Sequence, residues 1–385
     1  GFLPLSLHTM SATKKQKTSN APEGVTVATA RCSSNIAVIK YWGKRDEKLI
    51  LPINSSLSVT MDPDQMGTTT TAACSEAWKG DRLWLNGKEE DSSATRIQNC
   101  LKAIRALAGD KAPKGGLRIV SNNNFPTAAG LASSASGYAC LVLALGELFG
   151  IPRDQLSAIS RQGSGSACRS VYGGFVKWEM GVKEDGTDSK AHQVAKADHW
   201  PDLHALILVV SDEKKKVSSS GGMKISVETS ELLAHRAKAV VPPRVKDMET
   251  AIQKKDFESF AKITMQESNS FHATCLDTYP PIFYLNDTSK AVINTVHELN
   301  SKAGEAVAAY TFDAGPNAVV YTLTKHLPHV ARSLALAFPP AKAGDWEGHI
   351  TDASLRKEVL KKGAMEGEDR DFAGKVKYMM HSIVG

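Results

Sequence analysis

The stretch Asn122-Asn-Asn-Phe-Pro-Thr-Ala-Ala-Gly-Leu-Ala-Ser-Ser-Ala-Ser136 runs from polar asparagines through small residues into a helical pattern. From Tyr138 the apolar residues recur at Leu141, Val142, Leu145, Leu148 and Phe149, one face of an amphipathic helix expected over Ser134–Phe149. Small residues let a ligand approach the backbone closely. The helix start behind them offers unpaired N–H groups and the positive end of the dipole. Together they form a cradle for anions, most naturally the phosphates of a nucleotide. No lysine follows the glycine, so this is not the Gly-x-x-x-x-Gly-Lys-[Ser/Thr] loop. A serine-capped core helix with a small-residue entry has the same composition.

Upstream of this stretch, Val25–Cys32 alternates as a strand does and Ile36–Tyr41 is a second short apolar run. Thr68–Ala73 and Leu83–Leu85 read as strands, the latter entering an Asn86-Gly87 hairpin turn. A helix over Thr95–Leu107 precedes a strand at Leu117–Val120, which feeds the small-residue loop. Downstream, Gly150-Ile-Pro152 stops the chain, Arg153-Asp154 reopens it as a helix through Gln162, and Phe175–Glu179 is a further strand. Residues 183–203 are polar and contain Asp185-Gly186 and Trp200-Pro201, which marks a domain boundary. The second half opens on a strand at Leu206–Val210. Helical patterns follow at Val227–Ala239, Val245–Ile252, Phe257–Glu267 and Ser289–Asn300. Strands at Val307–Phe312 and Ala318–Thr322 and a helix at Pro328–Phe338 come after them. Strands and helices mix without strict βαβ alternation, which predicts an α+β protein of two domains, 24–203 and 204–385. Residues 1–23 read as a disordered arm, or as a leader or expression remnant.

With 385 residues, 42% of them hydrophobic, the chain can bury a core in each domain. Its 47 lysines and arginines against 41 aspartates and glutamates leave a mild +6, which suits a small anionic substrate and suits solubility equally well. Aromatic and basic residues do not interleave as single-stranded nucleic acid requires, so no nucleic-acid partner is expected. The six cysteines (Cys32, Cys74, Cys100, Cys140, Cys168, Cys275) lack CxxC spacing. Cys140, inside a helical pattern, reads as a buried free thiol, which points to a reducing compartment, without zinc or a disulfide framework. No apolar run reaches membrane-spanning length, and no membrane insertion is expected.

Four polar constellations accompany the loop. In Asn35-Ile-Ala-Val-Ile-Lys-Tyr-Trp-Gly-Lys44 two lysines bracket an aromatic pair and a glycine, compact charges suited to phosphate oxygens or simply solvated at a strand end. Gly163-Ser-Gly-Ser-Ala-Cys-Arg-Ser170 is a backbone anion nest before a helical turn, with Arg169 able to fork onto a carboxylate or phosphate; a Gly/Ser linker is the alternative. Val217-Ser-Ser-Ser-Gly-Gly-Met223 reads as a polar loop after the run Lys214–Lys216. In Thr311-Phe-Asp-Ala-Gly-Pro-Asn317 an aspartate leaves a buried strand into a glycine turn, well placed as a base, although the same residues make an ordinary turn. The histidines form no metal-ligand spacing, and His272 reads as structural. No protein-built metal site is expected, so any Mg²⁺ arrives with a nucleotide.

The order of these motifs along one chain resembles the diphosphomevalonate decarboxylase family, within the superfamily of galactokinase, homoserine kinase, mevalonate kinase and phosphomevalonate kinase. The resemblance spans Val25 to Phe338. It rests on Ile39–Lys44, Pro126–Ser136, Gly163–Ser170 and Phe312–Asn317; residues 183–200 and the acidic C-terminal stretch carry none of it. It implies ATP-dependent conversion of mevalonate 5-diphosphate to isopentenyl diphosphate, CO₂, ADP and phosphate, on the route to isoprenoids and sterols. The implied catalytic set is Asp313, Arg169, Lys44 and Asn35, with Asp313 facing the substrate 3-hydroxyl and Arg169 with Asn35 holding its carboxylate. Substrate contacts carried over are Tyr41, Lys40, Ser164, Ser166, Ser219, Met223 and Ala314. ATP contacts are Asn122, Asn124, Ala129, Gly130, Leu131, Ala132, Ser133, Ser134 and Ser136. In some relatives an arginine follows the serine at the Ser219 position; Ser220 stands there here, which leaves one diphosphate contact open. The implied fold has an N-terminal ATP-binding domain like the second domain of ribosomal protein S5, a ferredoxin-like C-terminal domain and the site in the cleft between them. A cytoplasmic homodimer is the implied assembly. A kinase of the same superfamily that does not decarboxylate is the alternative, which Arg169 and Asp313 in their motifs disfavour.

Overall fold

The computed structural model describes residues 23–125, 133–213, 215–361 and 370–385. The loop residues Thr127, Ala129, Gly130, Leu131 and Ala132, and nearly all of the N-terminal arm, lie outside them. The N-terminal half begins β1 (Thr26–Ser33), β2 (Asn35–Ile39), β3 (Lys44–Asp46), β4 (Leu51–Pro52), β5 (Ser56–Thr60), α1 (Pro63–Met66), β6 (Gly67–Ser75), β7 (Arg82–Leu85) and β8 (Lys88–Glu90). It continues α2 (Thr95–Ala108), β9 (Gly116–Asn123), α3 (Ser133–Phe149), α4 (Ser157–Gly163), α5 (Ala167–Ser170), β10 (Phe175–Trp178) and β11 (Ala191–Ala195). The C-terminal half follows as β12 (Leu203–Val209), α6 (Ser219–Thr229), α7 (Glu231–His235), α8 (Val241–Lys254), α9 (Phe257–Asp277) and α10 (Asp287–Ala303). It ends β13 (Ala309–Phe312), β14 (Ala318–Leu323), α11 (Leu327–Ala337), α12 (Trp346–His349), α13 (Ala353–Leu360) and β15 (Tyr378–Ile383). This is an α+β fold.

The first sheet has the order β1-β6-β9-β7-β8, antiparallel except for the β7/β9 pair. Asn86 and Gly87 both take positive φ and close the β7/β8 hairpin, as their type requires. Helix α3 lies across β1 and β6, but its burial is not confined to one face: Leu141, Val142, Leu143, Ala144 and Leu145 are all buried. The sheet takes one side and α2, α4 and α5 cover the other, so the amphipathic reading of this helix is corrected.

A second sheet, β11-β10-β5-β2, and a third, β13-β14-β12-β15, contribute to one apolar core with α8 and α9. Ile36, Val38, Leu57, Val59 and Phe175 meet Ile207, Val209, Val319, Tyr321, Met248 and Phe260 there. The opposite face of the third sheet buries Leu206, Leu208, Tyr310 and Phe312 under α10, α11 and α13. Cover on both faces explains the unbroken apolar run in β12. Past β15 the chain crosses back to the N-terminal half: Asp62 N–H donates to Ile383 O at 3.0 Å, and Gly385 N–H to Thr60 O at 2.9 Å.

Other expectations are corrected by local chemistry. The helix read from Arg153 through Gln162 is a short 3₁₀ turn over Arg153–Gln155 followed by α4. Val217–Met223 is not a loop throughout, because Ser218 caps α6 by accepting from Gly221 N–H at 3.1 Å. The helix read over Val227–Ala239 breaks at Ser230, whose hydroxyl caps α7 through Leu233 N–H at 3.1 Å. Within the polar stretch 183–203, β11 pairs with β10 as an edge strand, a position where polar residues are tolerated.

Candidate active site

Strand β2 ends at Ile39 and delivers Lys40, Tyr41, Trp42 and Lys44 to one wall of a cleft of about 400 Å³. The opposite wall comes from the end of β13, where Asp313 and Ala314 leave the buried strand. Lys40 Nζ donates to Asp313 Oδ1 at 2.6 Å, with the lysine side chain only 3% exposed. Burial alone would push the Asp313 carboxyl up. The charge of Lys40, joined by Lys215 and Arg169, outweighs it and holds the group below the usual carboxylate range. Burial pulls the Lys40 ammonium down, against the attraction of Asp313 and Glu267.

Arg169 on α5 forms the floor. Its Nε donates to Asn35 Oδ1 at 3.1 Å and to Ser58 Oγ at 2.9 Å, and its Nη1 donates to Ser56 Oγ. Asn35 Nδ2 in turn donates to Ser166 O at 3.0 Å and Ser170 Oγ at 2.7 Å. Among the described residues this buried guanidinium, 2% exposed, has hydroxyl and amide partners but no ion pair. A buried cation without a counter-ion is stabilised by an anion in the cleft it faces.

Ser164 and Ser166 flank Gly165 at the cleft, and glycine is required there: a Cβ would stand 2.8 Å from the Tyr41 ring. The Tyr41 hydroxyl is buried without a partner among the described residues, and burial pushes it far above its usual range. Ser133 and Ser134 enter from the start of α3, Ser134 Oγ lying 3.5 Å from Ser164 Oγ. Ser219, at the first position of α6, and Met223, one turn on, complete the wall. Lys44 lines the cleft while paired with Glu47 at 2.6 Å.

Three carried-over residues stand elsewhere. Ser136 is fully buried, accepting from Thr68 Oγ1 at 2.7 Å and donating to Ser133 O at 3.1 Å. Asn124 uses its amide to accept from Gly67 N–H at 2.7 Å and to donate to Pro63 O and Asp64 O, pinning α1. Asn122 is exposed on β9 away from the cleft lining. His272 is buried beside Phe312 and pushed down to about 3 by burial and then by Lys40, so it is neutral.

The cleft also recruits residues that the motifs did not single out. Lys215, read as part of a charge run, reaches inward and donates to Ser219 Oγ at 3.3 Å; burial pulls its ammonium down and Asp313 opposes this. Arg96 crosses from α2 to donate to Ser220 Oγ at 3.0 Å, so a guanidinium stands beside the position left open at Ser220. Nothing in the local sequence of α2 marks Arg96. Ser56 and Ser58 did carry a signal, since hydroxyls alternate with Leu57 and Val59 along β5.

Five cationic side chains (Lys40, Lys44, Arg96, Arg169, Lys215) against two carboxylates (Glu213, Asp313) line this cleft. With serines at both ends, it defines an enzyme pocket for a small, multiply anionic, phosphorylated substrate. Residues 32–191 match the diphosphomevalonate decarboxylase-like N-terminal domain, and residues 205–385 match the mevalonate 5-diphosphate decarboxylase C-terminal domain. The chain belongs to the diphosphomevalonate decarboxylase family. It is 51% identical to the diphosphomevalonate decarboxylase of Bos taurus over 374 residues, covering 94% of this chain and 92% of the relative. The mevalonate diphosphate decarboxylase from Trypanosoma brucei superposes with a TM-score of 0.85 at 38% identity, covering 94% of this chain and 96% of that one. The solved protein MDDEF in complex with MVAPP, AMPPCP and magnesium gives a TM-score of 0.72 at 35% identity, covering 81% and 93%.

Proposed function

We propose that this chain decarboxylates mevalonate 5-diphosphate at the expense of ATP, yielding isopentenyl diphosphate, CO₂, ADP and phosphate. The observation that carries the reading is the Lys40–Asp313 pair in the same cleft as the Arg169 guanidinium, which has no ion pair among the described residues. Its residues match each demand of that chemistry. ATP supplies the phosphoryl group that turns the tertiary 3-hydroxyl into a leaving group. Asp313, kept ionised by Lys40, takes the proton of that hydroxyl or stabilises the positive charge left when phosphate departs. Arg169, steadied by Asn35, Ser56 and Ser58, orients the carboxylate whose C–C bond electrons become the alkene as CO₂ leaves.

Tyr41, Lys44, Ser164, Ser166, Ser219, Met223 and Ala314 surround the diphosphate and the substrate chain, with Arg96 and Lys215 as additional counter-charges. Ser133 and Ser134, with the loop Ala129–Ala132, receive the ATP phosphates. The excess of cations in the cleft fits such a load. Among the described residues no group of three or more His, Cys, Asp or Glu gathers, so Mg²⁺ would sit on phosphate oxygens and water. The complex of MDDEF with AMPPCP and magnesium supports this pairing.

Residues 24–203 would form the ATP-binding domain and 204–385 its partner, a division supported by the two family segments on either side of residues 192–204. A homodimer in the cytoplasm completes the reading. Twofold assembly is the commonest, and six free, buried cysteines suit a reducing compartment. Among the described residues no helix is long and apolar enough to cross a membrane. The deciding experiment supplies MgATP and mevalonate 5-diphosphate and measures CO₂, phosphate and isopentenyl diphosphate together. Equal yields of all three are expected; phosphorylated substrate accumulating without CO₂ would make the protein a kinase.

A further inference from the structure

Lys40 is held at both ends. Its ammonium meets Asp313, while its peptide groups are fixed by residues that do not line the cleft. Lys40 N–H donates to Glu267 Oε2 at 3.1 Å. Lys40 C=O accepts from Arg236 Nη2 at 3.2 Å and from Asn54 Nδ2 at 3.0 Å. Glu267 is wholly buried on α9; it also accepts from Arg236 through Oε2, and from Arg244 Nη1 through Oε1 at 2.7 Å.

A carboxylate between guanidiniums in a protein interior is an expensive joint, and a well-packed apolar cluster would join the same helices at least as firmly. The cluster does what an apolar contact cannot. It satisfies the backbone of one residue that has just left β2 and whose N–H and C=O are otherwise buried. We propose that Glu267, together with Arg236, is a positioning residue for Lys40: by fixing the Lys40 peptide it sets where the ammonium stands, and thereby keeps Asp313 ionised and in place. The proposal rests on Asp313 being the reacting carboxylate of the function proposed above. The charged groups that share the cleft with Asp313 are Lys40 after β2, Lys44 on β3, Lys215 before α6, Arg169 on α5, Arg96 on α2 and Glu213, while His272 on α9 and Tyr321 on β14 feel its charge from the core. Lys40 is the nearest of those described.

The test titrates the Asp313 carboxyl by ¹³C NMR in ligand-free protein, the resonance being assigned by its loss in Asp313→Asn. This readout does not depend on turnover. In Lys40→Met the titration should move up by about one pH unit or more, since a lost opposite charge shifts a carboxylate by that order. In Glu267→Gln it should also move up, through a displaced Lys40 ammonium, whereas loss of the Glu267 charge by itself would move it down. The double variant Glu267→Gln/Lys40→Met should titrate with Lys40→Met alone, because Glu267 acts through Lys40. Asn54→Ala loosens the same peptide without stranding a guanidinium; it should shift Asp313 the same way by less, and it decides the matter if Glu267→Gln does not fold. An Asp313 titration at the wild-type position in these variants overturns the proposal, as does a double variant that shifts well beyond Lys40→Met. In turnover, Glu267→Gln should lower kcat by about 10²-fold with KM little changed, the scale of a misplaced reacting group. If the titrations move as expected but the wild-type chain releases no CO₂, the positioning stands and the reaction falls.

Discussion

At the scale of single residues the cleft is governed by one inequality: the cations around Asp313 outweigh the cost of its partial desolvation. A carboxyl held low stays ionised well below neutral pH. The acid limb of kcat/KM should therefore lie under the ordinary carboxylate range, activity being complete at neutral pH and lost only as pH falls through that depressed value. Asp313→Asn keeps the shape and removes both proton acceptance and charge. It should lower kcat by at least about 10³-fold while substrate affinity changes little, because Asp313 repels an anionic substrate rather than holding it. Near-normal turnover by this variant, measured with a direct binding assay, would remove the central residue of the mechanism. Asp313 and Arg169 were legible because each sits in a short motif whose glycines announce a turn. Lys215 was not: a lysine run looks the same whether its middle member points to water or into a cleft.

At the scale of elements, α3 serves two functions. Its body is core, buried around most of its circumference, and its first turn presents Ser133 and Ser134 to the cleft. Ser134→Ala should leave the helix standing, because its packing lies further along, yet weaken ATP binding by roughly ten- to a hundredfold. A hydrogen bond to a charged oxygen is worth about 1.5–3 kcal/mol. An ATP titration of the variant that overlays the wild type would reduce the serine to a helix cap. Ser136, two positions on, has its hydroxyl bonded to Thr68 and Ser133. Helical geometry turns neighbouring serines to different sides, so Ser133 and Ser134 line the cleft and Ser136 does not.

At the scale of the whole molecule, the C-terminal strand binds the two halves together. His381 on β15 lies between Asp352, 2.8 Å from its Nδ1, and His204 of β12, whose Nδ1 is 2.9 Å from its Nε2; His204 Nε2 reaches Thr324 at 2.9 Å. Burial, then His381, pushes His204 down to about 4. A base with a depressed folded pKa binds its proton more readily when unfolded. Its contribution is thus fully present above the unfolded value and is lost as pH falls from about 6.5 towards 4. The size falls well short of the roughly 1.4 kcal/mol per pH unit of an unscreened shift, because the ring is partly exposed and solvent screens it. Denaturant unfolding across that window should show wild type losing stability more steeply than His204→Gln; parallel curves would mean the imidazole pair is already relaxed by solvent.

The sequence by itself determined most elements and the identity of the central cleft residues. Periodicity and turn chemistry act over a few residues, and Lys40–Lys44, Gly163–Arg169 and Asp313 each carry their signal within one short segment. Only the tertiary structure decided which hydroxyls and cations reach the cleft and which are spent elsewhere. Lys40 and Asp313 lie 273 residues apart and meet at 2.6 Å. Arg96 arrives from a helix whose local pattern shows only an amphipathic face, and Glu267 acts on a backbone brought to it from the other half of the chain. β11 and β15 were equally unreadable in advance, since a strand whose polar residues serve an edge or a crossing between halves lacks the apolar alternation of one resting on a core. Long-range pairing is a property of where the chain returns, and no local window contains it.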